Sequence, residues 1–203
     1  MKLPDTAHTS RPWRIHDIAP DFRLEDVWGV PAPGEPDEFP RAVEAILSSD
    51  PSQSRSRAVR TLFALRWKLG ELLGWDDEDA GLGSRAPTLR DRLPTDLREA
   101  PAPAFDALPF TSLYLLEDEF AAEVANQTMH GVMHLGLVPD GAGGHCGQMA
   151  VLVKPNGLFG KADMAAIRPF RHLIVYPPLL REFAREWGTR AREPTVASRK
   201  APA

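Results

Sequence analysis

Two histidines with the spacing of metal ligands are the first candidates for chemistry in this sequence. His130 and His134 stand four residues apart in the run MHGVMHLGLV. On a helix they would share one face, about 6 Å apart, as two ligands of a zinc ion can. The run reads as a strand, in which four residues span about 13 Å, so we predict no metal site. Both side chains then point to the same side of a sheet, either as a polar patch on its outer face or as hydrogen-bonding groups that line a cavity.

A carboxylate and a phenol are the candidates for proton transfer and ligand recognition. Glu123 has apolar neighbours in the sequence, and inside an apolar cavity its pKa would be raised, so that it could act as a general base. His130 is the second weak candidate for a catalytic residue. The alternative for Glu123 is a solvent-facing carboxylate on an alternating strand. Tyr114 could donate its hydroxyl to a bound ligand, or it could be a half-buried aromatic of the sheet.

Three other features resemble sites but are better explained as local structure. Cys146 follows His145, but adjacent residues of a strand point to opposite faces, so we predict no catalytic cysteine. Asp118 and Glu119 separate two strand-like runs and are assigned to a turn. The run GAGGH joins two strand-like runs, and NGLFG lacks the Lys-Ser or Lys-Thr pair of a phosphate-binding loop. We therefore predict no cofactor.

The elements that must position these residues lie in residues 110–187. Four β-like runs are separated by turn residues: FTSLYLLE, FAAEVAN, TMHGVMHLGLV and QMAVLVK. A helical segment follows, and Pro169, Pro177 and Pro178 predict that it is kinked or broken into pieces. This order suggests a curved antiparallel sheet closed by a C-terminal helix, an arrangement that usually encloses a cavity. Six side chains are candidates to contact a ligand there: Tyr114, Met133, His134, Met149, Trp67 and Phe170.

The N-terminal half is expected to supply the first strand and two helices. Residues 13–28 read as an extended segment with a bend, whereas residues 29–36 contain three prolines and are expected to be irregular. Apolar residues recur at helical spacing over residues 37–47 and 57–73. In the long connection that follows, only residues 89–97 are expected to be ordered.

Composition sets the remaining limits. With 203 residues and 43% hydrophobic content, the chain can bury one core. We predict a single domain over residues 11–188, a disordered N-terminus over 1–10 and a disordered basic tail over 189–203. A net charge of −4 with mixed signs gives no field that would concentrate nucleic acid. One cysteine, no signal-peptide core and no run of about 18 apolar residues predict a cytoplasmic protein without a membrane span.

Three segments carry a family resemblance: MHGVMHLGLVPDG, GQMAVLVKPNGLFGKADMAAI and RPFRHLIVYPPLLREFAREW. They resemble a bacterial family of unknown function in the helix-grip (SRPBCC) superfamily, with the polyketide cyclases, START lipid-transfer domains and pollen-allergen-type ligand carriers. The resemblance is strongest over residues 123–187. It implies an α+β fold, in which an antiparallel sheet of about seven strands wraps around a C-terminal helix and two short helices follow the first strand.

Three functions are compatible with these observations. The first is a carrier that binds a small, largely apolar molecule between the sheet and the C-terminal helix. The second is an enzyme of the cyclase or dehydratase type, in which Glu123 or a histidine moves a proton in the same cavity. The third is a non-catalytic interaction module that could form a homodimer.

Overall fold

A six-stranded antiparallel sheet is the centre of the computed structural model, in the order β1-β2-β6-β5-β4-β3. The strands are β1 Lys2–Leu3, β2 Arg23–Pro33, β3 Thr111–Leu115, β4 Glu119–Ala125, β5 Met129–Pro139 and β6 His145–Pro155. The structure describes residues 1–33, 36–48, 60, 82, 86–106, 108–126 and 129–156. Strands β3 to β6 form a meander, and β2 pairs with the last of them.

The helices of the described residues are short and lie around this sheet. They are α1 Thr6–Thr9, α2 Ile15–Ile18, α3 Phe39–Leu47 and α4 Thr95–Arg98, with 3-10 turns at Pro36–Glu38 and Leu89–Arg92. A four-residue helix is not stable alone, so α1, α2 and α4 depend on their contacts with the sheet. The fold is therefore α+β, as the sequence predicts.

Several elements appear where the sequence predicts them. The four β-like runs form β3 to β6, the apolar residues of 37–47 form α3, and the ordered piece at 89–97 forms a 3-10 turn and α4. The described part of the chain contains six strands, whereas the resemblance implies seven. The predicted helix over 57–73, the proline-interrupted segment over 158–187 and the tail over 189–203 lie outside the described residues.

The structure differs from the sequence interpretation at the N-terminus. Residues 1–10 are not disordered, because Lys2 and Leu3 pair with Trp28 and Val27, and His8 is fully buried. Residues 29–36 are not all irregular either, since β2 continues to Pro33. The register of β2 against β6 shifts between Val30 and Pro33, and such an irregularity is where a strand accommodates proline.

Both faces of the sheet are buried. On one side, the α3 face, helix α3 packs on side chains from five strands, among them Trp28, Leu115, Phe120, Leu135 and Met149. On the other, the strap face, lie two segments: the N-terminal strap (residues 4–19, with α1 and α2) and the second strap (residues 86–98). Successive side chains of a strand point to opposite faces. Because both faces of the sheet are buried, β5 is apolar at nearly every position and not only at every second one.

A close backbone approach fixes the N-terminal strap on β5. The Trp13 ring lies over Gly136, and a Cβ placed on that glycine would come within 2.7 Å of Trp13 Cη2. Cβ atoms essentially never make contacts that short. The Trp13 ring can therefore pack this close to the β5 backbone only because residue 136 has no side chain.

We expect Gly136→Ala to lower the free energy of unfolding by about 1–3 kcal/mol, because the added methyl group must displace the Trp13 ring. Gly29→Ala in β2 is the matched control, since its Cβ would have no neighbour closer than 3.7 Å. Urea denaturation monitored by circular dichroism measures both variants. Equal effects at the two positions would contradict the proposed contact.

Candidate functional site

Two Glu–His pairs lie side by side on the strap face. His134 Nε2 is 3.1 Å from Glu119 Oε1, and His130 Nε2 is 2.8 Å from Glu123 Oε2. Residues four apart in a strand share a face, so β4 presents both carboxylates and β5 both imidazoles on one side. Each pair joins diagonal neighbours on the two strands. Ala121 lies directly opposite His134 and Ala125 opposite His130, and each glutamate lies two residues before the opposing alanine.

Glu119 collects four hydrogen bonds from three parts of the chain. Besides His134, it accepts the Arg14 amide at 2.9 Å, the Ile15 amide at 3.0 Å and the Tyr114 hydroxyl at 2.6 Å. The two amides belong to the first turn of α2, whose N–H groups have no partner within the helix. A carboxylate on the sheet therefore caps a helix of the N-terminal strap.

Glu123 accepts hydrogen bonds from the second strap in the same way. It accepts the Leu89 amide at 3.0 Å and the Thr88 hydroxyl, in addition to His130. Thr88 in turn accepts the Arg90 amide at 3.2 Å and so caps the 3-10 turn Leu89–Arg92. The two pairs are thus equivalent: each joins β4, β5 and the first turn of a short helix in one strap.

These contacts determine the charge of both carboxylates. Burial alone would raise the pKa of Glu119, but the hydrogen bonds from His134, Tyr114 and the Arg14 amide outweigh it and place the pKa below its ordinary value. The pKa of Glu123 is lowered in the same way, since the bonds from His130, Leu89 and Thr88 outweigh burial. Both groups are anions at neutral pH, with their oxygens occupied by donors.

The Glu119 pair continues into a line of three histidines. His134 Nδ1 is 3.2 Å from His8 Nε2, and His8 Nδ1 is 3.1 Å from His16 Nε2. The Glu119 carboxylate can only accept, so His134 donates from Nε2. If all three rings are neutral, His8 Nε2–H then donates to His134 Nδ1, and His16 Nε2–H donates to His8 Nδ1. We call His16, His8 and His134 the histidine line.

The geometry of the histidine line does not suit a metal ion. The two nitrogens of His8 face different partners, so no single point is close to one nitrogen from each of the three rings. Across the described residues, no group of three or more His, Cys, Asp or Glu side chains could hold a metal ion.

The structure corrects both interpretations of Glu123. The side chain is not solvent-facing, since it is fully buried. Its pKa is lowered and not raised, and a carboxylate of that kind is a weak base at neutral pH. His130 and His134 are likewise buried beneath the straps and do not form a polar patch on an outer face.

The ligand-binding candidates are distributed over both faces. Tyr114 is fully buried, not half-buried, and its hydroxyl is bound to Glu119. Met133 and Met149 lie on the opposite, α3 face, in the core with α3. Trp67 and Phe170 are outside the described residues.

Cys146 is not an activated nucleophile. It lies in β6 directly after His145, and burial raises the pKa of its thiol, with a further contribution from Asp140. An activated cysteine needs the opposite shift.

Sequence reasoning missed Glu119, His8 and His16. Glu119 was assigned to a turn, but it is the first residue of β4 and is buried. One signal was available: two glutamates four residues apart precede two histidines four residues apart, which predicts two facing pairs if both runs are neighbouring strands. Nothing in the N-terminal residues indicates that they return to this site.

A protein family described as "Protein of unknown function (DUF2867)" matches residues 18–178. The chain belongs to this family. No curated protein and no solved structure gives a match. The part that matches the family contains β2 to β6 and both Glu–His pairs, while His8 and His16 precede it. In the described residues, no helix is long and apolar enough to span a membrane.

Glu119→Gln is expected to lower the free energy of unfolding by about 3–5 kcal/mol, because an amide group would face donors where a buried anion now accepts them. Glu123→Gln should have a similar effect. Glu117→Gln, at an exposed position in the preceding turn, is the control and should change stability by less than about 0.5 kcal/mol. Chemical denaturation provides the measurement, and control-like behaviour of Glu119→Gln would refute its anchoring role.

The cost of Glu123→Gln should also depend on pH. A carboxylate whose pKa is lowered by folding contributes stability above its ordinary pKa of about 4.5, and that contribution is lost as the pH falls below it. The difference in unfolding free energy between wild type and Glu123→Gln should therefore be constant from pH 7 to 5 and shrink below about pH 4.5. A difference that grows on acidification would mean that the pKa of Glu123 is raised.

Proposed function

We propose that this chain is a small-molecule-binding protein that holds a largely apolar ligand against the α3 face of the sheet. In this proposal the fold is of the helix-grip type, and the cavity lies between the sheet and residues 158–187. The described α+β architecture, with an antiparallel meander and α3 following the first long strand, supports that arrangement.

The division of polar groups between the two faces carries the proposal. Both Glu–His pairs and Tyr114 are on the strap face, where they hold the straps. The α3 face of β4, β5 and β6 presents an apolar surface: Phe120, Ala122, Met133, Leu135, Leu137, Met149 and Val151. A binding site for an apolar molecule requires such a surface, since affinity comes from removing apolar area from water, at about 25 cal/mol per Å².

Helix α3 is too small to cover this surface by itself. Its nine residues make a cylinder about 13.5 Å long and about 10 Å wide. Six strands spaced about 4.8 Å apart extend over about 24 Å, roughly twice the width of the helix. Phe105 and Phe110 also pack against this face, and the proposed cavity lies in the width that neither they nor α3 cover.

Met133 and Met149 are the described residues best suited to contact the ligand. They are diagonal neighbours on the two central strands, since Met133 opposes Val151 and Met149 opposes Leu135. Methionine is flexible and polarisable, so a pair of such side chains can adapt to ligands of different shapes.

The acid–base alternative finds less support. Glu123 is bound to His130 and to the second strap, and both side chains face away from the apolar surface. An enzyme that used them would have to break the contacts that hold residues 88–92.

Native mass spectrometry of protein purified without denaturant tests the proposal, and it should show a retained small molecule. Titration with 1-anilinonaphthalene-8-sulfonate locates the site. Met133→Phe and Met149→Phe reduce the free space and should each weaken binding at least about tenfold, the equivalent of about 1.4 kcal/mol.

Val132→Ile is the control, because it enlarges a buried side chain of the same strand on the strap face. It should leave the affinity for the probe within about twofold of wild type. Thermal unfolding confirms that every variant is folded at the temperature of the titration. No retained molecule, together with a probe affinity that the methionine variants do not change, would refute a ligand site on the α3 face.

A further inference from the structure

The N-terminal strap is attached to the sheet by contacts of different pH sensitivity. The backbone pairing of β1 and the Trp13 ring on Gly136 do not titrate. The ion pairs Lys2–Asp26 and Arg14–Asp96 are two further attachments at the N-terminus. The histidine line is the attachment made of imidazole rings, whose hydrogen bonds change when a ring takes up a proton.

The groups around the histidine line come from every element packed against it. His8 of α1 is fully buried and has a ring on each side, at centroid distances of 4.8 Å and 4.9 Å. The titratable and charged groups that face the line are Asp17 of α2, Glu119 of β4 and Tyr114 of β3. Only Glu119 among these is an anion within hydrogen-bonding distance of the line, and it contacts His134 at one end.

The line has room for few additional protons. Three neutral imidazoles carry three N–H protons: one in each of the two ring–ring contacts and one toward Glu119. One more proton fits, on the outer nitrogen of His16. A further proton would place two N–H groups face to face between neighbouring rings. His8 and His16 of the strap can each take a second proton in water, so the released strap can bind at least one more proton than the docked line can hold.

We propose that the N-terminal strap is an acid-released cover of the sheet, which undocks when the histidine line takes up protons. Release would expose apolar side chains of the strap face, whose cluster includes Val138, Ala150 and Leu152, while β1 can remain paired with β2. Docking and the proposed ligand site are on opposite faces, so this switch does not depend on the proposed function.

The direction of the effect follows from the folded-state pKa values. Burial, and then the neighbouring His134 and His16, lower the pKa of His8 from 6.5 to about 3. Burial and His134 also lower the pKa of His16. The undocked state therefore binds more protons below pH 6.5, and docking is complete above that pH and weakens as the pH falls. The pKa of Glu119 is lowered as well, so this group adds to release only below about pH 4.5.

Hydrogen–deuterium exchange with peptide resolution tests the switch. Rates at pH 7.5, 6.0 and 5.0 are corrected for the intrinsic pH dependence of amide exchange. Each additional proton bound on release changes the docking equilibrium by up to about tenfold per pH unit. Protection of residues 5–18 should fall at least about tenfold between pH 7.5 and 5.0, while peptides from β4 and β6 keep their protection.

His8→Gln and His16→Gln replace titrating rings by neutral amides and should flatten the pH dependence of the strap. His145→Gln in β6 is the matched control, since it removes a histidine that is not part of the line, and it should behave as wild type. His16→Gln, at the half-buried end of the line, should give the smaller change of the two, because the docked line can hold a proton on the outer nitrogen of His16; if His8→Gln does not fold, the wild-type pH dependence relative to that of the sheet peptides decides. Protection of residues 5–18 that is independent of pH in the wild type, that falls together with that of the sheet, or that keeps its wild-type pH dependence in His8→Gln would overturn the proposal.

Discussion

A buried carboxylate is stable only if hydrogen bonds replace the water that it has lost. Glu119 and Glu123 are both buried on the strap face, and each has at least three donors. Those donors come from β3, β5 and the two straps, so satisfying two anions fixes the positions of four parts of the chain. The short helices that cover this face have little intrinsic stability, and the carboxylates supply the partners that their first amides lack.

This arrangement gives the buried polar groups of the strap face a structural role. The polar groups that at first suggest catalysis are occupied in holding the straps, and their lowered pKa values make them anchors and not bases. The opposite face is apolar over its central strands and is only partly covered by α3. Among the described residues the α3 face of β4 to β6 is apolar, whereas Glu123 and His130 face the straps, so the ligand-binding hypothesis fits this geometry better than an enzymatic one.

The predictability of the fold from the sequence differs from element to element. The strands β3 to β6 and helix α3 follow from local periodicity, which depends only on neighbouring residues. The site does not, because its bonds join distant residues: the amide of Arg14 and the carboxylate of Glu119 are separated by 105 positions. Polar residues 1–10 contain too few apolar side chains to indicate order, and they become ordered because β2, Gly136 and Glu119 receive the strap. The strand character of β5 is predicted correctly, but the glutamates that bind His130 and His134 come from the neighbouring strand, which local periodicity does not reveal.

The account depends most on the two carboxylates being anchored anions, and their ionisation can be measured. Carbon-13 NMR of the side-chain carboxyl groups, assigned with the two Gln variants, follows Glu119 and Glu123 through an acid titration. The pKa values of both should lie below the ordinary glutamate value of about 4.5, so that both are ionised at pH 5. A titration midpoint above about 6 for either residue would contradict the account, because that is the range of a glutamate tuned for acid–base catalysis.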